Sequence, residues 1–207
     1  MFIYATTTLV AMATKVLIST IFEGKATPIV VYKLSPEKLV LLDTHKENKD
    51  RKKAIEDLKE KFKGLLQIEI VKTDEFDVTK ITRDVLSAIQ KEKGNEIYIH
   101  VSEARKTIML GALFAGYIAK DGVKGIYYVR EDNNEILPLP MLDFKLGATK
   151  EDLLRELDKG NKDAVKLADK LGVHKSIVYV HIKDLIKRGY LTEEGDLTPS
   201  GKIVVMK

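Results

Sequence analysis

The sequence predicts an α/β fold: a mainly parallel sheet flanked by helices, followed by a smaller helical domain. Three observations carry this. Short β-branched runs alternate with longer amphipathic segments from Lys15 to about Pro140. The strand runs are continuously apolar, as expected when helices cover both faces of a sheet. Beyond Thr149 the signals are helical until a short polar hairpin.

In order, Val16–Thr20 reads as a buried strand, followed by a helix near Lys25–Leu34. Lys38–Asp43 is the second strand, with a charged helix from about Lys49 to Lys63. Leu66–Lys72 and Asp77–Lys91 supply the third pair, and Glu96–Val101 and Ala104–Lys120 the fourth. Gly125–Arg130 and Glu135–Leu139 read as a hairpin around Asn133-Asn134. Strands and helices of these lengths imply right-handed βαβ crossovers, so residues 13–140 are expected to form a Rossmann-like domain. Pro138, Pro140 and Gly147 punctuate the pattern, and 141–148 is expected to be a linker.

Residues 149–207 are expected to form the second domain. A helix from Thr149 or Lys150 carries Leu153, Leu154 and Leu157 and stops at Gly160. Asn161 is positioned to cap a helix over Lys162–Leu171, Gly172-Val173 makes a tight turn, and Lys175–Lys187 forms the next helix. A hairpin should then run from Tyr190-Leu191-Thr192 through Glu194-Gly195-Asp196 to Ile203–Val205. Two helices joined by a short Gly-containing turn are the helix-turn-helix pattern.

Composition narrows the function. Hydrophobic residues make up 44% of the 207 and charged residues 32%, which permits a buried core. There is no Cys, so disulfide scaffolds, Cys-ligated zinc and thiol nucleophiles are excluded. The four histidines, at 45, 100, 174 and 181, make no HxxxH or HExxH cluster, and no metal site is expected. No charge-free apolar run reaches the roughly 18 residues a membrane span needs, and the apolar start lacks a basic flank. A soluble, cytoplasmic protein is expected. The net charge of +4 permits a nucleic-acid partner without requiring one. Abundant Lys and Glu, with no Trp and few Gln, resemble the composition of heat-adapted proteins.

In an open parallel sheet, ligands lie beyond the carboxyl ends of strands where strand order reverses, here after the first and fourth strands. The first loop, Ser19-Thr20-Ile21-Phe22-Glu23-Gly24, lacks GxGxxG, and no Walker A sequence occurs anywhere. Asp43 stands where a ribose-binding acid would, but without the glycines. The second loop, His100-Val101-Ser102-Glu103-Ala104-Arg105-Lys106-Thr107, places a hydroxyl and two cations at a helix N-terminus. Cations there oppose the helix dipole, and a phosphate between Arg105 and Lys106 would remove the conflict. The following helix, Thr107–Tyr117, is apolar on nearly every face. Its Gly111, Ala112, Ala115 and Gly116 suit either a second copy or burial within its own domain.

Two resemblances extend this reading. Residues Leu167–Tyr179 and Leu185–Leu191 closely resemble the winged-helix transcription regulators. On the outer face of the third helix, Lys175, Ser176, Tyr179 and Lys183 recur at helical spacing, with Lys187 and Arg188 near its end. Such a helix enters the major groove of double-stranded DNA, where Ser and Tyr reach base edges and Lys meets phosphates. The wing departs from the basic type, with Glu193, Glu194 and Asp196. One helix-turn-helix buries little DNA, so a dimer is expected.

The polar loop after the first strand, a [DN]x[ST]xxx[RK]-like motif after the fourth and the C-terminal helix-turn-helix together resemble the CARF family. Ser102 and Lys106 match the motif, while His100 stands in place of Asp or Asn. Two-domain members include the archaeal CRISPR-associated Csa-type transcription regulators. The resemblance implies a homodimer that binds cyclic oligoadenylate, most often cyclic tetra-adenylate, across the two-fold axis. Carried over by position, Ser19, Thr20, Phe22 and Glu23 line the first loop and Ser102, Glu103, Arg105 and Lys106 the second. The resulting expectation is a ligand-responsive regulator of CRISPR-Cas genes, without catalytic residues or cofactor. Two alternatives stay open: a metal-independent ring nuclease that uses the ribose 2′-OH as nucleophile, and a regulator sensing another phosphorylated metabolite.

Overall fold

The computed structural model describes residues 13–142 and 146–205; residues 1–12, 206–207 and 143–145, the last within the expected linker, lie outside the described part. The chain divides into two compact units between Leu139 and Pro140.

In the first unit one six-stranded sheet has the order β3-β2-β1-β4-β5-β6. Its strands are β1 (Lys15–Thr20), β2 (Lys38–Thr44), β3 (Gln67–Thr73), β4 (Glu96–His100), β5 (Val123–Val129) and β6 (Ile136–Leu139). The first five are parallel and β6 is antiparallel. Pro138, which has no N–H for a ladder, is tolerated on β6 because that strand is an edge. Helices α1 (Thr27–Leu34), α2 (Lys49–Lys61), α3 (Val78–Lys91) and α4 (Lys106–Ile118) connect the strands. Asn48 Oδ1 caps α2 by accepting from Arg51 N at 2.9 Å, and Asp77 Oδ1 caps α3 by accepting from Lys80 N at 2.9 Å. The hairpin turns as expected at Asn134, which adopts the left-handed conformation.

Alternating strand residues feed two cores. Leu17, Leu39 and Leu41 pack with Val30, Ile55 and Leu58 of α1 and α2. On α4, a Cβ added at Gly111 would lie 2.5 Å from Ile81 Cγ2 of α3, and one at Gly116 would lie 2.6 Å from Ile126 Cδ1 of the sheet. The small residues of α4 therefore serve contacts within the unit. The expected alternative, that Gly111, Ala112, Ala115 and Gly116 meet a second copy, is corrected: all four are buried in their own fold. What α4 leaves exposed is Leu110, Phe114 and Ile118, a stripe at four-residue spacing.

The second unit contains α5 (Ala148–Asp158), α6 (Ala164–Leu171), α7 (Lys175–Lys187) and α8 (Pro199–Val205). Leu153, Leu154, Leu157, Leu167, Val178, Leu185 and Tyr190 form its core. Gly172, at φ +63°, ends α6 and turns the chain into α7. Two expectations change here. The cap of α6 is Asp163, whose Oδ1 accepts from Val165 N at 2.8 Å, and not Asn161. The hairpin shrinks to a single bridge between Leu191 and Leu197, and Ile203–Val205 is helical. Thr198-Pro199 is a helix start: Thr198 Oγ1 accepts from Gly201 N at 3.2 Å, and Pro sits in the first turn where its missing N–H costs nothing.

Candidate ligand site

Strand order reverses between β1 and β4, so their carboxyl ends diverge into separate loops. Ser19 and His100 are register partners there. Ser19 Oγ donates to the Thr20 carbonyl at 2.9 Å, lies 2.8 Å from His100 Nδ1 and 3.2 Å from Thr27 Oγ1. The direction of the Ser19–His100 hydrogen bond follows the imidazole tautomer, so these groups form one buried polar cluster whichever atom donates. His100 is fully buried, and burial pushes its pKa from 6.5 down to about 3. Among the described residues, His100 Nε2 and Thr20 Oγ1 are buried with no hydrogen-bond partner. Where the motif would place Asp or Asn, this chain has a neutral side chain tying β1 to β4.

Above this layer lies a cavity of about 400 Å³. Of the expected residues, Phe22, Glu23, Ser102 and Glu103 line it. Ser19 and Thr20 are fully buried and do not. Glu103 crosses to the other loop: its Oε1 accepts from the backbone N–H of Lys25 at 2.5 Å and of Ala26 at 2.8 Å. Helix α1 has no side-chain cap of its own, so a carboxylate from 77 residues away in sequence supplies one. Ser102 Oγ accepts from Val129 N at 2.5 Å and fastens the second loop to β5.

Arg105 and Lys106 do not line this cavity. Arg105 Nε donates to Glu75 Oε1 at 2.5 Å, and its guanidinium lies 5.2 Å from the centre of the Phe76 ring. Thr107 Oγ1 also donates to the Glu75 carbonyl, at 2.6 Å. The charge conflict at the start of α4 is thus relieved for Arg105 by a carboxylate of the protein itself, without a bound phosphate. Lys106 is exposed and forms no ion pair among the described residues.

Sequence reasoning missed Lys25, Arg130 and Glu131 in the lining and Glu75 as the partner of Arg105. Arg130 follows β5, the strand beside β4, so the end of the neighbouring strand was the available signal. Lys25 pairs with Glu23 at 2.5 Å, and Arg130 pairs with Asp132 and Glu135. The lining holds Glu23, Glu103 and Glu131 against Lys25 and Arg130, a slight excess of negative charge.

In the second unit, Lys175, Ser176, Tyr179, Lys183 and Lys187 are all exposed along α7. Lys175 Nζ lies 5.9 Å from the centre of the Tyr179 ring, and Ser176 Oγ lies 2.8 Å from Nδ1 of His174, the N-cap residue. Arg188 Nε is 3.0 Å from Asp184, a carboxylate that also holds Lys150 at 2.5 Å. Among the described residues no group of His, Asp and Glu is placed to hold a metal, and no helix is long and apolar enough to cross a membrane.

The fold and its cleft define a Rossmann-like α/β domain with a ligand-sized cavity at the reversal of strand order. The chain belongs to the family described as "HFX_2341_N:-like, N-terminal", which matches residues 24–134, just over half of the 207. No curated protein matches it in sequence. Among solved structures it resembles Enterococcus italicus Csm6 bound to cyclic hexa-2′-fluoro-hexa-dAMP, with a TM-score of 0.55 and 15% identity over 84% of this chain and 55% of that one. It also matches Can2 from Sulfobacillus thermosulfidooxidans in complex with cyclic tetra-adenylate, with a TM-score of 0.47 and 12% identity over 92% of this chain and 63% of that one. At 15% identity the likeness to Csm6 is one of fold, and the chain spans under two thirds of either relative.

Proposed function

We propose that the first unit is a CARF-type sensor of cyclic oligoadenylate, the four-membered ring in particular, and that the second unit carries the signal to promoter DNA of CRISPR-Cas genes. The observation that carries this is the cavity shared by the loops after β1 and β4, on a fold like that of a protein solved with a cyclic adenylate analogue. The half-exposed Phe22 ring offers a stacking face for adenine. Glu23 offers an acceptor to an exocyclic amino group, while Lys25 and Arg130 supply positive charge for phosphodiesters. One cavity holds part of such a ring, and a two-fold partner supplies the rest. The stripe of Leu110, Phe114 and Ile118 is the surface we assign to that partner.

Helix α7 is proposed to enter the major groove. Ser176 and Tyr179 would face bases, and Lys175, Lys183, Lys187 and Arg188 phosphates. Ring binding then alters DNA affinity to the extent that it favours one arrangement of the dimer. Mobility-shift titration of promoter DNA with and without cyclic tetra-adenylate tests the coupling; DNA affinity indifferent to bound ring overturns it. Following linear products in the same mixtures separates sensing from ring cleavage.

A further inference from the structure

A second cavity, of about 660 Å³, opens along α2 beyond the carboxyl ends of β2 and β3. At its base Arg51 is 6% exposed. Its Nε donates to Asp43 Oδ1, and its Nη2 donates to Thr44 Oγ1 at 2.7 Å and to the Lys46 carbonyl. Lys72 Nζ takes the other oxygen of Asp43 at 2.5 Å. Asp43, the residue at the position of a ribose-binding acid, is therefore fully occupied in holding two cations. Burial alone would raise its pKa, but hydrogen bonds from Lys72 and Arg51 outweigh this and hold the carboxyl below its ordinary value.

This clamp leaves one guanidinium nitrogen over. Nη1 of Arg51 has no partner among the described residues, and the buried side chain to which it belongs lines the cavity. Lys49, Lys52 and Lys59 extend the lining along one face of α2 and form no ion pair among the described residues. Six cationic side chains line the cavity against three carboxylates, Asp43, Glu47 and Glu56. From Lys49 to Lys59 the helix rises about 15 Å, more than one phosphate group bridges. A guanidinium fixed by three hydrogen bonds beside exposed lysines suits a ligand with several linked anionic groups.

We propose that this cavity is a second ligand site, taking a small polyphosphate-bearing molecule of the nucleoside-triphosphate class. It is independent of the cyclic-oligoadenylate reading, because it shares no lining residue with the first cavity.

Calorimetric titration of the full chain with inorganic triphosphate and with ATP tests it, at about 50 and about 300 mM salt. Saturable binding by either is expected, weaker at the higher salt. The double variant Lys52→Gln/Lys59→Gln alters only exposed side chains, so it keeps the fold, and it should weaken binding roughly tenfold. Arg51→Lys, if it folds, should weaken binding further, and Lys106→Gln should leave it unchanged. Three outcomes each overturn the proposal: no saturable heat up to about 5 mM of either probe, equal affinity in the Lys52→Gln/Lys59→Gln variant, or displacement of triphosphate by cyclic tetra-adenylate. The last result would merge the two sites and leave the sensing reading standing; loss of cyclic tetra-adenylate binding alone would sink that reading and leave this one intact.

Discussion

Two cavities open on the same carboxyl edge of one sheet, and they are built on opposite electrostatic plans. The one at the β1/β4 reversal rests on neutral buried groups, Ser19, Thr20, Thr27 and His100, and its rim carries more carboxylates than cations. The one beyond β2 and β3 rests on a buried ion pair, Arg51 with Asp43, and its rim is cationic. The position at which strand order reverses thus does not itself dictate positive charge. At the first cavity the anion-binding end of α1 is filled by the chain's own Glu103, and outside its lining the charge of Arg105 is matched by Glu75. A ligand that enters there must compete with internal carboxylates, whereas one entering the second cavity meets unpaired lysines.

The largest expected effect lies under the second cavity. Asp43→Ala would leave the Arg51 guanidinium buried without its carboxylate, which costs about 3–5 kcal/mol in comparable sites. Urea unfolding of the variant against the parent measures it, and a loss below about 1 kcal/mol would mean that water reaches the pair and its burial is superficial. Under the first cavity the sensitive variable is pH. His100 is neutral in the folded chain and has an ordinary pKa when unfolded, so the unfolded state takes up the proton first. Its folded value is depressed, so the stability it contributes is intact above about pH 6.5 and is lost as pH falls toward about 3. By pH 5 the parent should have lost roughly 2 kcal/mol that a His100→Asn variant retains. Parallel stability curves for the two proteins between pH 7 and pH 5 would show instead that His100 is hydrated.

The frame that carries both cavities was legible in the sequence because short β-branched runs alternate with helix-length segments from Lys15 to Pro140. The reading failed where a signal serves more than one purpose. The β-branched run Ile203–Val205 suggested a strand, but the Thr198-Pro199 start preceding it is the stronger local instruction and makes a helix. Small residues on α4 indicate close approach without saying to what, and Gly111 meets Ile81 of its own α3. For the site, both loops were legible from strand order alone, which brought Phe22, Glu23, Ser102 and Glu103 to one cavity. Their partners were not. The attachment of Arg105 to Glu75, 30 residues away, depends on how the β3–α3 loop lies against the start of α4, and no spacing rule encodes that.

The smallest expected effect is the most direct probe of the contrast. Glu103 caps α1 and at the same time occupies the amides that an incoming phosphate or carboxylate would use. Glu103→Gln keeps an oxygen acceptor for Ala26 N while removing the charge, so stability should fall by only about 1 kcal/mol, the scale of a helix cap. Affinity for cyclic tetra-adenylate should rise, by roughly tenfold if the carboxylate chiefly repels the ring's phosphates. The opposite sign is equally informative. Weaker binding by Glu103→Gln, with the fold intact, would mean that the carboxylate accepts from an adenine amino group. The acidic rim would then be the recognition surface itself, and the two cavities would differ in the part of a nucleotide they read.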